Sequence, residues 1–408
     1  MSAAPPFNAA ADGPLSSVRA TGRSPVRRTT LRIDLPMVSL LAVIVLFGLV
    51  MVTSASISLA SQEAAANSFA YLERQLLFLA VGVSAGALVF CVRTDRLERL
   101  AVPLLFAGLA LLLVVAVPGV GHRSHGSRRW LQFGGFAFQV SEFARLLVLI
   151  YVASYAVRKE EELRGTLKGL LKPLGVLFLA GGLLLAEPDM GAATVLFATG
   201  FIMLFLAGGR LRYMTLMVLC AVSLFAILAE SSGYRRARIT AFLHPFDDPF
   251  HTGFQLVQSL IAIGRGHLFG VGLGESVQKL FYLPEAHSDF IFAVLAEELG
   301  LVGVLVTLAL FLALVWRSLH IARLAHEAGM KFGAYIAAGF GVWIGVQALI
   351  NIGVNMGVLP TKGLTLPLMS YGGSSLVVAL MWAAIVLRVN HEATQPPRST
   401  ATRLREDP

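Results

Sequence analysis

Acidic side chains at the edges of apolar runs are the residues of this sequence best suited to chemistry. The sharpest case is Asp289, which follows Pro284-Glu285-Ala286-His287-Ser288 and opens a long apolar run. A carboxylate at such a boundary is partly desolvated and suited to taking a proton from a reacting hydroxyl. Ser288 and Asp289 are equally good N-capping residues, so the position reads either as a base or as a cap. Glu297 and Glu298 follow about two turns on, where acids within or near a bilayer face an interior cavity or a partner.

Other groups carry weaker signals. Glu187-Pro188-Asp189 and Ser141-Glu142 read first as helix starts, although Glu142 follows Arg128-Arg129-Trp130 closely enough to pair with one of those arginines. Lys362 is the single charge in a Pro- and Gly-broken stretch from Pro360 to Ser375. Irregular backbone at membrane depth is tolerated where it is buried in protein or lines a wet cavity, so this lysine either meets an anion or snorkels to headgroups. The glycines from Gly264 to Gly274 lack the strand and βαβ context of a dinucleotide fingerprint and instead suit a loop packed close to other backbone. Cys91 and Cys220 read as packing residues, and no Cys/His cluster has zinc-ligand spacing.

The elements that must position these residues follow from composition. Hydrophobic residues make up 56% of the 408, charged residues only 14%, and mean hydropathy is +0.74. Soluble domains carry about 25% charged residues. A chain with so few charges cannot cover a water-facing surface, and the bulk of it faces lipid. With about 20 apolar residues needed per crossing, the runs predict ten transmembrane helices: 35–60, 75–92, 100–118, 142–157, 170–187, 190–207, 213–230, 289–316, 333–355 and 373–388. The expected fold is an all-α polytopic bundle, with polar tails at 1–33 and 390–408, a membrane domain over 34–389 and one long loop over about 231–288.

Charge placement orients the bundle. Arg93, Arg96 and Arg99, then Arg158, Lys159, Arg164 and Lys168, then Arg210 and Arg212, then Arg317, Arg323 and Lys331 all fall in loops on the side of the termini. Lys and Arg accumulate in cytoplasmic loops, so both termini are expected in the cytoplasm. The net charge of +9 is accounted for largely by these loops and the tails, and no basic patch interleaved with aromatics supports nucleic-acid binding. Two loops on the opposite side are basic against the rule: 119–141, with Arg123, Arg128 and Arg129, and 231–288, with Arg235, Arg236, Arg238, Arg265 and Lys279. Either long outer loops tolerate charge or an anionic ligand is handled at that face.

Taken together, Gly126-Ser127-Arg128-Arg129-Trp130, Ser141-Glu142-Phe143, Glu187-Pro188-Asp189-Met190-Gly191, the series from Asp248-Pro249 to Asp289, and Ser370-Tyr371-Gly372-Gly373-Ser374-Ser375 resemble the SEDS family (shape, elongation, division, sporulation). The resemblance spans nearly all of 35–388. Lys362 in its Pro360–Pro367 setting and Ser276-Val277-Gln278-Lys279-Leu280 resemble the division branch. Val140, where a proline commonly precedes the Ser-Glu pair, and the polar run Gly121-His122-Arg123-Ser124-His125 depart from the pattern.

The resemblance implies a peptidoglycan glycosyltransferase that polymerises lipid II at the outer face of the cytoplasmic membrane during septal wall synthesis. It implies a class B penicillin-binding protein as partner, with other divisome membrane proteins. Asp289 takes the place of the family's catalytic aspartate, acting as base on an incoming sugar hydroxyl. Arg128, Arg129, Trp130, Glu142, Arg235, Lys279, Lys362 and Ser370 are the expected substrate-binding residues, with a divalent cation (Mg or Mn) sharing the pyrophosphate charge. A lipid II flippase and a non-enzymatic division scaffold are the alternatives.

Overall fold

The computed structural model describes residues 32–63, 67–117, 121–124, 127–133, 136–216, 219, 223, 242–251, 253–280, 282–361 and 363–395. Its helices, numbered in chain order, are α1 Leu35–Glu63, α2 Ala70–Phe90, α3 Thr94–Arg99, α4 Ala101–Ala116, α5 Val140–Arg158, α6 Glu160–Gly165, α7 Leu167–Ala186, α8 Met190–Leu206, α9 Phe254–Arg265, α10 Ile291–Glu327, α11 Lys331–Asn355 and α12 Gly373–Ala393. Seven of them (α1, α2, α5, α7, α10, α11, α12) are apolar and at least 19 residues long over their apolar stretch. At about 1.5 Å per residue that length spans a hydrocarbon core of roughly 30 Å. The shorter apolar helices α4 and α8 fall on two further expected spans. The tenth, 213–230, lies mostly outside the described residues.

Burial distinguishes the helices. In α5, 83% of the apolar window is inside the protein, against 17% in α2. Polar groups on α5 must therefore find partners within the bundle, whereas α2 offers its sides to lipid. Trp343 of α11 and Trp382 of α12 stack with centroids 5.2 Å apart beside Phe340, filling the centre. At the start of the bundle, Asp34 accepts from Met37 N at 2.8 Å to cap α1 and pairs with Arg317 of α10. Arg32 N donates to His391 Nδ1 at 3.1 Å and Arg32 Nη1 to Thr394 O at 3.3 Å. The two ends of the described chain thus lie on one side of the bundle, as an even number of crossings requires. Helix α12 runs through Ala393, a few residues past the expected boundary at 389.

Two features differ from the sequence expectation. The 119–141 connection holds a three-stranded antiparallel sheet, β1 His122–Ser124, β2 Ser127–Phe133 and β3 Phe136–Gln139. Trp130 pairs with Gln139 and Leu131 with Phe138 in its register. Helix α10 is longer than expected and is broken at Gly300 (φ 64°, ψ −161°), a conformation that suits only glycine.

The break has a clear cause. In an unbroken helix Leu301 N and Val302 N would donate to the carbonyls of Glu297 and Glu298. Here those carbonyls accept from Val271 N (3.0 Å) and Gly272 N (3.1 Å), while Leu301 N and Val302 N donate to His267 O (3.0 Å) and Leu268 O (3.2 Å). The 266–272 loop is inserted into the helix ladder. A Cβ on Gly266 would stand 1.8 Å from Ala296 O, and one on Gly270 2.1 Å from Glu298 O, so the approach needs glycine.

Candidate functional site

Asp289 sits half-buried at the start of α10, and two amides of α11 hold its backbone. Asn351 Nδ2 donates to Asp289 O at 2.8 Å and Asn355 Nδ2 at 3.1 Å. Asn351 Nδ2 also reaches Leu364 O at 2.6 Å, and Asn355 Oδ1 accepts from Ala293 N at 3.2 Å. A neighbouring helix therefore satisfies an amide of the first turn of α10. Its N-cap position is Phe290, which makes no side-chain cap bond.

The 363–366 stretch lies across the aspartate. A Cβ on Gly363 would come within 3.1 Å of Asp289 Oδ2, and one on Gly191 would meet Leu364 Cγ at 2.8 Å and Gly363 O at 3.3 Å. These close approaches join the start of α8 to Asp289 through two residues of loop. Asp189 caps α8 by accepting from Ala192 N at 3.0 Å. Its other oxygen takes Ser141 Oγ at 3.0 Å, Gln139 Nε2 at 3.4 Å and Arg129 Nη1 at 3.4 Å. Beside it Glu187 is 3% exposed, with neither carboxyl oxygen hydrogen-bonded. Burial and the neighbouring Asp189 push its carboxyl from the usual 4.5 up to about 8, against the opposing pull of Arg129.

Deeper in the bundle Glu142 pairs with Arg145, one turn on along α5, and both are buried. Arg145 Nη2 lies 3.5 Å from Gln347 Oε1, and Gln347 Nε2 donates to Thr365 O at 3.0 Å. The Arg145 guanidinium stands 5.8 Å from the centre of the Trp343 ring. A continuous polar web thus runs from Asp289 through α11 and the 363–366 stretch to α5 and the Glu187–Asp189 turn.

The expected site residues divide accordingly. Asp289, Arg129 and Glu142 belong to this web. Trp130 is half-buried on β2, opposite Gln139. Ser370 is buried, and its hydroxyl accepts from Leu366 N at 2.8 Å while Gln75 Nε2 donates to its carbonyl at 3.2 Å, so it closes a turn. Lys279, expected to meet substrate, is engaged by the protein itself in this structure. It is 4% exposed, and its Nζ donates to Glu298 Oε1 at 2.8 Å, Gly274 O at 2.7 Å and Ser54 Oγ at 3.1 Å. Glu297 is likewise engaged, by Arg265 at 2.9 Å, Ser276 Oγ at 2.6 Å and the amides of Val277 and Gln278. These two acids face partners, as acids at that depth should, and they clamp the inserted loop to α10 and α1. The side chain of Arg128, and Arg235 and Lys362 altogether, lie outside the described residues.

Sequence reasoning missed Arg145, Gln347, Asn351 and Asn355. The signal was there for the amides: spaced four apart on an apolar helix, Gln347, Asn351 and Asn355 form one polar stripe.

The fold and this web define a multi-pass helical membrane protein whose acids converge at one end of the bundle, under a loop. A family profile described as "Cell cycle protein", covering FtsW, RodA and SpoVE, matches residues 35–395. The chain belongs to that family. It is 49% identical over 381 residues to the probable peptidoglycan glycosyltransferase FtsW of Thioalkalivibrio sulfidiphilus, covering 93% of this chain and 95% of that one. It is 52% identical over 354 residues to the protein of that name from Alkalilimnicola ehrlichii, covering 86% and 88%. Among solved structures, it resembles a chain described under structural coordination of polymerization and crosslinking by a peptidoglycan synthase complex, with TM-score 0.72, 32% identity, and coverage of 90% and 100%. The rod shape determining protein RodA of Thermus thermophilus matches with TM-score 0.66, 31% identity, and coverage of 90% and 99%.

Proposed function

We propose that the chain is a division-type peptidoglycan glycosyltransferase that polymerises lipid II at the outer face of the cytoplasmic membrane, at the septum, with both termini in the cytoplasm. The observation that carries this reading is Asp289: a half-buried carboxylate at the mouth of the bundle, its backbone fixed by Asn351 and Asn355 and its carboxyl beside Gly363. Relatives named as peptidoglycan glycosyltransferases share about half the sequence over most of its length.

In the proposed reaction the 4-hydroxyl of one lipid II sugar attacks the anomeric carbon of a lipid-linked glycan. Asp289 takes the hydroxyl proton, the C1–O bond to pyrophosphate breaks, and polyprenyl pyrophosphate leaves with the bonding electrons. A positioned base is worth about 10²–10⁴-fold. Arg129, with 23% of its side chain exposed, is the first candidate to meet the leaving phosphates, with Arg128, Arg235 and Lys362 as further candidates. Glu142 holds Arg145 and Ser370 closes a turn through Leu366 N, while Trp130 and Lys279 remain proposed substrate contacts. A divalent cation would enter with the substrate's phosphates. Among the described residues no group of three or more His, Cys, Asp or Glu side chains is placed to hold one, and no step here depends on it. A class B penicillin-binding protein is the proposed partner, supplying crosslinks to the new strands.

The test is lipid II polymerisation by the purified chain with that partner, wild type against Asp289→Ala. Glycan strands from the wild type and a loss of at least about 10²-fold in a folded variant are expected. Equal product from both removes Asp289 as the base. Product from neither, under conditions that activate a related pair, favours a flippase or a scaffold.

A further inference from the structure

Glu187 is a buried acid that the reaction above leaves unused. Its two carboxyl oxygens have neither water-accessible surface nor a hydrogen-bond partner, and an ionised carboxylate in that state is strongly disfavoured. Asp189, two residues on, is also buried but collects four donors: Ala192 N, Ser141 Oγ, Gln139 Nε2 and Arg129 Nη1. One turn thus holds two acids in opposite environments, one supplied with donors and one supplied with none. An acid left without donors is the one that keeps its proton.

We infer that Glu187 carries a proton at neutral pH and is a positioning residue for Arg129. Neutral, it leaves Asp189 as the carboxylate of this turn that Arg129 meets, Nη1 to Oδ2 at 3.4 Å, with part of the arginine side chain exposed. Ionised, by loss of its proton to solvent, it adds a second carboxylate beside the first and draws Arg129 inward, away from the phosphates of the lipid donor. The groups facing Glu187 are Asp189 from its own turn and Arg129 from β2. Glu142 of α5 lies near enough to Asp189 to feel its charge and is itself paired with Arg145. Asp289 stands beyond Gly363 and Leu364. Burial and Asp189 raise the Glu187 carboxyl to about 8, so the change falls in the mildly alkaline range.

This inference rests on the polymerase reading, and its test separates the two. The full chain with its class B partner is assayed on lipid II from neutral to alkaline pH, as wild type, Glu187→Gln and Arg129→Gln. Infrared difference spectra are taken on the same wild-type and Glu187→Gln samples. Wild type is expected to show the C=O stretch of a protonated carboxyl at neutral pH, lost on alkaline titration and missing from Glu187→Gln. Its KM for lipid II should rise by up to about tenfold per pH unit beyond that titration, with kcat steady. Glu187→Gln should keep the neutral-pH KM and lose the rise, and Arg129→Gln should raise KM at every pH and flatten the dependence. A folded Glu187→Gln that is inactive at neutral pH, a KM rise that persists in it, or a wild type without the infrared band overturns the inference. A wild type that does not polymerise speaks against the function, while the infrared band still decides where the proton is.

Discussion

The two ends of α5 carry the same kinds of side chain and treat them in opposite ways. Past Arg158, Glu160 pairs with Arg164 and Lys331, and Glu162 with Lys159 and Lys172, all partly or fully in water. Hydrogen bonds from Lys159 and Lys172 hold Glu162 down at about 2. At the other end Glu142, Glu187 and Asp189 are all buried, and Glu187 is pushed up to about 8. The difference is solvent. Where water neutralises charge, an acid is a surface group exchanging partners; where it does not, each acid must be paired, protonated or used. That contrast singles out the buried end as the candidate place for chemistry.

The largest effect that would break the comparison concerns the buried Glu142–Arg145 pair. Glu142→Ala leaves the Arg145 guanidinium, 2% exposed and already with two unpartnered nitrogens, without its carboxylate. Removing one partner of a buried pair costs about 3–5 kcal/mol, whereas replacing both with apolar groups of similar size is often close to neutral. Thermal unfolding in nanodiscs is expected to show a large drop for Glu142→Ala and recovery in a Glu142→Met, Arg145→Met double variant. Equal losses in both would mean that the pair stabilises as a pair and that desolvation is not what sets this end apart.

Much of this arrangement was legible in the sequence. Apolar runs gave nine of the ten expected spans as helices among the described residues, because a bilayer-length helix is set by composition alone. Asp289 stands out in the sequence because a polar loop meets an apolar helix there, and of the glycines of 264–274 it is Gly266 and Gly270 that make the close backbone approach the run suggests. What was not legible depends on tertiary partners. Lys279 looked like a cation for substrate because nothing local shows that Glu298 and Ser54 reach it from α10 and α1. The break at Gly300 is made by backbone some 30 residues earlier, outside any local pattern. The β2–β3 ribbon does leave a trace, since Gly134-Gly135 between Trp130-Leu131-Gln132-Phe133 and Phe136-Ala137-Phe138 is a hairpin signal, though a short one beside the long apolar runs that flank it.

A smaller effect sharpens the comparison at the site itself. Asn351 joins Asp289 O to Leu364 O, so Asn351→Leu removes the amide that ties the proposed base to the stretch lying over it. The carboxylate stays in place chemically but loses its fixed position. Displacement of a reacting group by about 1 Å costs up to about 10²-fold in rate. Single-turnover polymerisation by Asn351→Leu is expected to fall by about 10- to 10²-fold with little change in lipid II affinity. A variant that weakens binding and leaves the rate intact would move Asn351 from positioning the base to shaping the substrate pocket.

The smallest effect lies at the watery end, and its absence is the prediction. Lys172→Ala removes one of the two lysines on Glu162, which keeps Lys159. An exposed pair of this kind contributes little and is screened by salt. The carboxyl of Glu162 is held below its usual 4.5, so what the lysines add is present above that value and disappears as pH falls toward about 2. Melting curves for wild type and Lys172→Ala should therefore coincide at neutral pH in moderate salt. Any gap should appear only at low ionic strength and close as the solution becomes acid enough to protonate Glu162. A melting-point loss at neutral pH as large as that of Glu142→Ala would show that exposure does not separate the two ends of α5, and the case for placing the chemistry by desolvation would fall with it.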